Sequence, residues 1–244
     1  MSRLAGLLAG VAVGGLAIAP GGAIAHHTSW SRVAGAATVS TSSVNYLAGY
    51  SLGRSAKSLK VTTTFVLPRI ACGSRARAFA PSVGVYSSSN VPTAAAVFAG
   101  CNAGHARYWP VLVMNGGYRK YNTGASDLHP GDRVALQARE TQYDAYVSLT
   151  DKTLGVTQSW LGLGRDKLTS AWVGDSTWGN SRGFQSIPDF GSLNFTHTRM
   201  NGVPLGSVRG LTRYDMRSNR GTLQIRARRT TSSGTAFRTI FKHA

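Results

Sequence analysis

Apolar and polar residues alternate along this chain in short runs, with turn residues between them roughly every 8–12 positions. Arg133-Val134-Ala135-Leu136-Gln137-Ala138-Arg139 shows the pattern most cleanly, with Val134, Leu136 and Ala138 on one face of a strand. Ala145–Thr150 returns with the same period, and Val156–Leu161 repeats it after the turn Asp151–Gly155. Lys60–Leu67 is rich in β-branched residues and stops at Pro68, as a strand would. Ser82–Tyr86, Tyr108–Met114, Gly191–Thr196, Thr222–Arg228 and Thr235–Phe241 read as further strands.

The intervening chemistry agrees. Asn115-Gly116-Gly117 and His129-Pro130-Gly131-Asp132 are tight-turn sequences. Pro110 inside Tyr108–Met114 removes one backbone donor, which places that stretch at an edge or a bulge. Helical periodicity is nearly missing. Many short strands with turns between them predict an all-β sandwich or barrel. No internal repeat or linker divides the chain after residue 43, so 44–244 reads as one domain. Residues 26–43, rich in Ala, Ser and Thr, read as a flexible low-complexity segment.

The start of the chain has a different character. Arg3 is followed by the apolar run Leu4–Ala19, then Pro20, and Ala23-Ile24-Ala25 offers a small-x-small cleavage site. Residues 1–25 therefore read as a signal peptide, too short in apolar length to span a bilayer. No later run reaches the roughly 18 apolar residues a spanning helix needs. The expectation is a secreted, extracellular protein beginning near His26. About 220 residues then remain, enough to bury a core without staples.

Charge and cysteines sharpen that picture. The net charge is +18, from 27 basic against 9 acidic residues. Such a surface attracts anionic polymers, and the last forty residues are the richest in Arg. No helix-turn-helix, zinc-finger or RNA-recognition pattern accompanies it, so no specific nucleic-acid motif is present. Cys72 and Cys101 are the only cysteines, and in an exported chain such a pair predicts a disulfide. Closing that loop contributes about 3 kcal/mol in the chain-entropy picture.

Several segments, in order, resemble the secreted glutamic peptidases of the eqolisin family. Asn45-Tyr46-Leu47-Ala48-Gly49-Tyr50 is similar to that family's N-W-A-G-Y opening. Phe65-Val66-Leu67-Pro68 followed by Cys72, Val83-Gly84-Val85, Gly100-Cys101, His129–Asp132 and Ser148–Asp151 fall where the family has matching segments. The strongest is Ile187-Pro188-Asp189-Phe190-Gly191-Ser192-Leu193-Asn194-Phe195-Thr196, which resembles L-A-D-F-G-x-V-x-F-T. Tyr214-Asp215-Met216 and Ser233–Phe237 resemble the closing segments. The resemblance implies a concanavalin-like sandwich of two curved antiparallel sheets with a concave groove, no cofactor, and acid endopeptidase chemistry. In that chemistry a Glu acts as general base on a water, and a Gln amide faces the developing oxyanion.

The catalytic pair itself is missing. Anchored on Gly100, the Gln position holds Phe98, which cannot donate a hydrogen bond. The segment Thr169–Asp175 puts Asp175 at the Glu position, one methylene shorter. Ser82 and Tyr86 stand where the groove's Trp and Asp would be, and the strand Tyr108-Trp109-Pro110 has lost its acid. Ser82, Tyr86, Tyr108, Trp109 and Trp178 are the expected groove residues, the last because Gly, Ser and Thr surround it. Asp175 also fits an ordinary turn, and Glu140, the chain's one glutamate, a solvated hairpin end. The histidines lack metal-ligand spacing apart from the terminal pair His26-His27, so no metal is expected. Three readings stay open: a degenerate homologue that binds a polypeptide or, through its basic surface, an anionic polymer; an active acid endopeptidase with Asp175 as base; and a carbohydrate-binding sandwich.

Overall fold

In a computed structural model the alternating runs become strands. It describes residues 39–73, 77–115, 117–120, 128–165, 167–177, 179–180, 183–184 and 186–243. Residues 1–25, expected to be a signal peptide, and Trp178 lie outside the described residues.

The strands run in chain order as β1 (Ser40–Val44), β2 (Leu47–Ala56), β3 (Ser58–Val66), β4 (Arg77–Ser87), β5 (Pro92–Asn102) and β6 (His105–Met114). β7 (Gly117–Lys120), β8 (Arg133–Thr141), β9 (Asp144–Asp151), β10 (Val156–Leu163) and β11 (Leu168–Ser176) follow. The short pair β12 (Gly179–Asn180) and β13 (Gly183–Phe184) leads to β14 (Ser192–Met200) and β15 (Val203–Pro204). β16 (Leu211–Arg217), β17 (Leu223–Ala227) and β18 (Phe237–Phe241) close the chain. All pairings are antiparallel except β1 on β16.

These strands form two packed layers. One has the order β10-β9-β8-β3-β14, and the other continues β14-β18-β17-β16-β2-β11-β4-β5-β6-β7. β14 belongs to both: Ser192–Phe195 pairs with β18, while Thr196–Met200 pairs with β3 across a register break. That break holds His197 at φ 53°, and it lets one curled sheet fold over on itself. Strands β3, β8 and β9 pack against β4, β5, β6 and β11. Between the layers lies an apolar core that includes Val61, Phe65, Val83, Val97, Val134, Val147, Val173 and Phe195, each at most 1% exposed.

Two expectations change here. Ser40–Ser43, placed by composition in the flexible segment 26–43, belong with Val44 to strand β1. The partner is far away in sequence: Ser40 Oγ and Thr212 Oγ1 share a hydrogen bond of 2.7 Å, and Arg213 donates to Thr41 Oγ1. Glu140, expected at a solvated hairpin end, is 0% exposed. It falls on the same face as Val134, Leu136 and Ala138, so the alternation carries it inward. The Cys72–Cys101 disulfide is formed and ties the loop after β3 to β5. Pro110 pairs with Val97 on β5, while β7 covers only Val111–Met114 on the other side of β6.

Candidate functional site

Register decides which side chains can share a groove. On β11, β4 and β5 the cross-strand partners include Trp172–Gly84, Gly174–Ser82, Ser82–Ala96 and Gly84–Ala94. Partners point to the same face of a sheet, so these residues share the face turned away from the core. Phe98 lies two residues from Ala96 and pairs with Trp109 on β6, which puts both rings on that face. They stack at 4.4 Å between centroids.

A second aromatic pair stands beside the first. Tyr86 and Trp172 stack at 4.5 Å. Trp172 lies flat only because position 84 is glycine, since a Cβ there would overlap its six-membered ring. Its indole nitrogen donates to Ser82 Oγ at 3.3 Å, and Ser82 in turn reaches Gly174 O and Ser176 Oγ, each at 3.2 Å.

Three tyrosines around this sheet carry raised phenols. Tyr46 and Gly53 lie seven residues apart, or about 23 Å of strand, and Gly53 pairs through Ser170 with Tyr86. Yet burial and the charge of Tyr46 together push the Tyr86 phenol up to about 12. Burial and Tyr214 raise that of Tyr46, and burial raises Tyr214 against a hydrogen bond from Thr212. Tyr214 pairs with Gly49, itself the partner of Gly174, and so lies on the groove face. All three phenols stay protonated over the ordinary pH range, as neutral hydrogen-bond donors.

Asp175 is not on this face. Its partners are Ala48 and Pro81, and Val173, two residues before it, lies in the core. The carboxyl is 0% exposed, and neither oxygen has a hydrogen-bond partner among the described residues. Burial pushes it up to about 7; the nearby Thr239 hydroxyl tempers that rise but is turned to Leu193 O at 3.5 Å. The backbone just before it is unusually close-packed. Gly49 and Gly174 face each other, and a Cβ on either would overlap a carbonyl oxygen, that of Val173 or Ala48. Asp175 is thus a strand residue in the core, not the turn residue that its local sequence allowed.

Of the expected groove residues, Ser82, Tyr86 and Trp109 are brought together on the Phe98 face. Tyr108 is a correction: it pairs with Ala99, points the other way and is 8% exposed. Its hydroxyl donates to Pro68 O at 2.8 Å and accepts from Ile70 N at 3.2 Å, pinning the loop that carries Cys72. Sequence reasoning missed Tyr46, Trp172 and Tyr214. The signal for Trp172 was Gly84, two strands' worth of pattern that only the register joins. Glu140 is held in the core, its carboxyl raised by burial and lowered less by Thr93 and Arg165. Among the described residues no three His, Cys, Asp or Glu side chains converge to hold a metal ion. An open depression lined by Lys57, Ser58 and Thr141–Asp144 lies away from both aromatic pairs.

The family model described as Peptidase A4 family matches residues 45–239. No curated protein sequence matches the chain. Among solved structures, scytalido-glutamic peptidase with a peptide-based transition-state analogue is 16% identical, with a TM-score of 0.61 over 81% of this chain and 98% of that one. A second eqolisin, SCP-B in complex with the tripeptide Ala-Ile-His, is also 16% identical, with a TM-score of 0.62 over the same shares. Aspergilloglutamic peptidase from Aspergillus niger is 14% identical, with a TM-score of 0.53 over 68% of this chain and 99% of that one. At these identities the likeness speaks to the fold: two curved antiparallel sheets.

Proposed function

This chain belongs to the peptidase A4 family, and on that premise we propose that it is an exported, catalytically degenerate member that holds an extended polypeptide in its aromatic groove without cleaving it. One observation carries the reading. Among the described residues the groove face offers no base: Phe98 is stacked on Trp109, and Asp175 is sealed in the core on the opposite face of the sheet. β11 contributes Ser170, Trp172, Gly174 and Ser176 to that face, and β4 contributes Ser82, Gly84 and Tyr86. None of these is a carboxylate or an amide.

Hydrolysis of an amide by this family's chemistry needs a group to take a proton from water and a donor facing the new oxyanion. Tyr46, Tyr86 and Tyr214 supply donors, and no described residue on this face supplies the base. Removing one member of an interdependent pair removes most of the rate. The same donors with two flat aromatic pairs suit a ligand rich in carbonyl oxygens. Peptides occupy the two matched eqolisin structures, by their descriptions, and peptide is the ligand class carried over here. Export is supported by the Leu4–Ala19 run with its Ala23-Ile24-Ala25 site and by the disulfide, which persists in oxidising compartments.

The test is incubation with acid-denatured protein between about pH 2 and 7, using wild type and Asp175→Ala, alongside peptide titrations followed by tryptophan fluorescence. We expect no cleavage by either protein and a saturable fluorescence change with peptide. Cleavage by wild type that Asp175→Ala abolishes would overturn the reading.

A further inference from the structure

A second, charged surface lies on β17 and β18, which β16 and β2 separate from β11. On β17 and β18, Ile225, Ala227, Phe237 and Thr239 point into the core, which turns Arg226, Arg228 and Arg238 outward. The register Arg226–Ile240 and Ala227–Thr239 continues into a backbone bond from Arg228 N to Arg238 O at 2.7 Å. Arg228 and Arg238 are therefore direct cross-strand neighbours, with Cβ atoms about 5 Å apart. Arg226 follows two residues along, about 6.7 Å away. Lys242 extends the same side, with its backbone N bonded to Gln224 O.

Like charges placed opposite each other on a sheet are destabilising. Little on this face offsets them. Asp215 lies 3.7 Å from Arg226, and Arg238 donates to the neutral Asn194 Oδ1 at 2.7 Å. A row of this kind costs fold stability and offers a ladder of guanidinium forks, whose geometry matches phosphate in two-point contact. Three cations at strand spacing match a chain with an anion at every repeat better than a single ion. Ser192, Asn194 and Ile240 share the face and bring no aromatic ring on which a nucleic-acid base would stack.

We propose that this outer face of β17–β18 is a docking surface for a linear phosphodiester polymer without bases, of the poly(glycerol phosphate) kind. Bound there, the polymer would leave the aromatic groove on the other part of the sheet open, so one exported molecule holds a wall-type polyanion and a polypeptide together.

The experiment measures binding of the purified protein to poly(glycerol phosphate), polygalacturonate, single-stranded DNA and phosphatidylglycerol vesicles across a salt series. Arg228→Gln/Arg238→Gln is compared with Arg133→Gln/Lys152→Gln, which removes the same charge from exposed sites on the other layer. We expect poly(glycerol phosphate) to bind tightest. The first double variant should weaken it roughly ten-fold and lower the salt slope by about one to two, while the second stays within about two-fold. Asn194→Asp, which sets a carboxylate against Arg238 and leaves every arginine in place, should also weaken binding. Equal losses in both double variants would reduce the effect to bulk charge. That result, tighter binding to any of the other three ligands, or no binding at low salt would each overturn the proposal.

Discussion

Replacing Asp175 by Asn should flatten the protein's dependence of stability on pH. In the unfolded chain this carboxyl titrates near its ordinary value of 3.8, and in the folded protein burial holds it at about 7. Between those values the folded state keeps a proton that the unfolded state has released. Stability contributed at this site is therefore complete below about pH 4, falls as pH rises toward 7, and is lost above it. The shift is about three units, and at ~1.4 kcal/mol per unit the loss is about 4 kcal/mol. Full burial makes solvent screening a small correction. Glu140, also raised by burial, acts in the same direction in both proteins. The assay is urea denaturation of wild type and Asp175→Asn from about pH 3 to 8, read as the difference in unfolding free energy. Asn brings a buried amide with its own cost, but that cost does not vary with pH, so the slope is the readout. The variant should gain on wild type by about 4 kcal/mol between pH 4 and 8. Parallel profiles would refute the reasoning and mean that the carboxyl is solvated or paired in solution.

Two further outcomes follow from packing. Tyr108→Phe removes the bond to Pro68 O and strands Ile70 N in a buried position, which should cost about 1–3 kcal/mol in denaturant titration. Gly49→Ala drives a methyl into the Val173 carbonyl and should prevent recovery of folded protein, as judged by circular dichroism and gel filtration.

How the fold was legible in the sequence depended on which strands had one wet face. β8 and β9 alternate buried and half-exposed residues along their whole length, and the sequence pattern followed them. β5 is buried on nearly every residue, because the core covers one face and the aromatic rings cover the other. Its Ala-rich run therefore shows no alternation, as expected of a strand enclosed on both sides. β11 alternates only in part, and Asp175, between Gly174 and Ser176, looked like a turn residue from composition until its pairing with Ala48 and Pro81 placed it in a strand. The groove was half legible. Motif spacing located Ser82, Tyr86, Phe98 and Trp109, but spacing carries no information on face, and Tyr108 and Asp175 fell on the wrong one. Tyr214 was invisible because it joins the groove face only through the long-range pairing of β16 with β2.

The pairing of the first strands with the last has a consequence for how the chain comes into being. β1 lies along β16, and Ser40 meets Thr212. β2 needs β11 on one side and β16 on the other. A chain made from its N-terminus must therefore release well over a hundred residues before its first strand has a neighbour. Until then β1 and β2 remain open edges, exposed to any extended chain nearby. The hairpins β4-β5-β6 and β8-β9-β10 can pair as they emerge, so the closing of the sheet around β1 and β2 is the step that waits for the end of the chain.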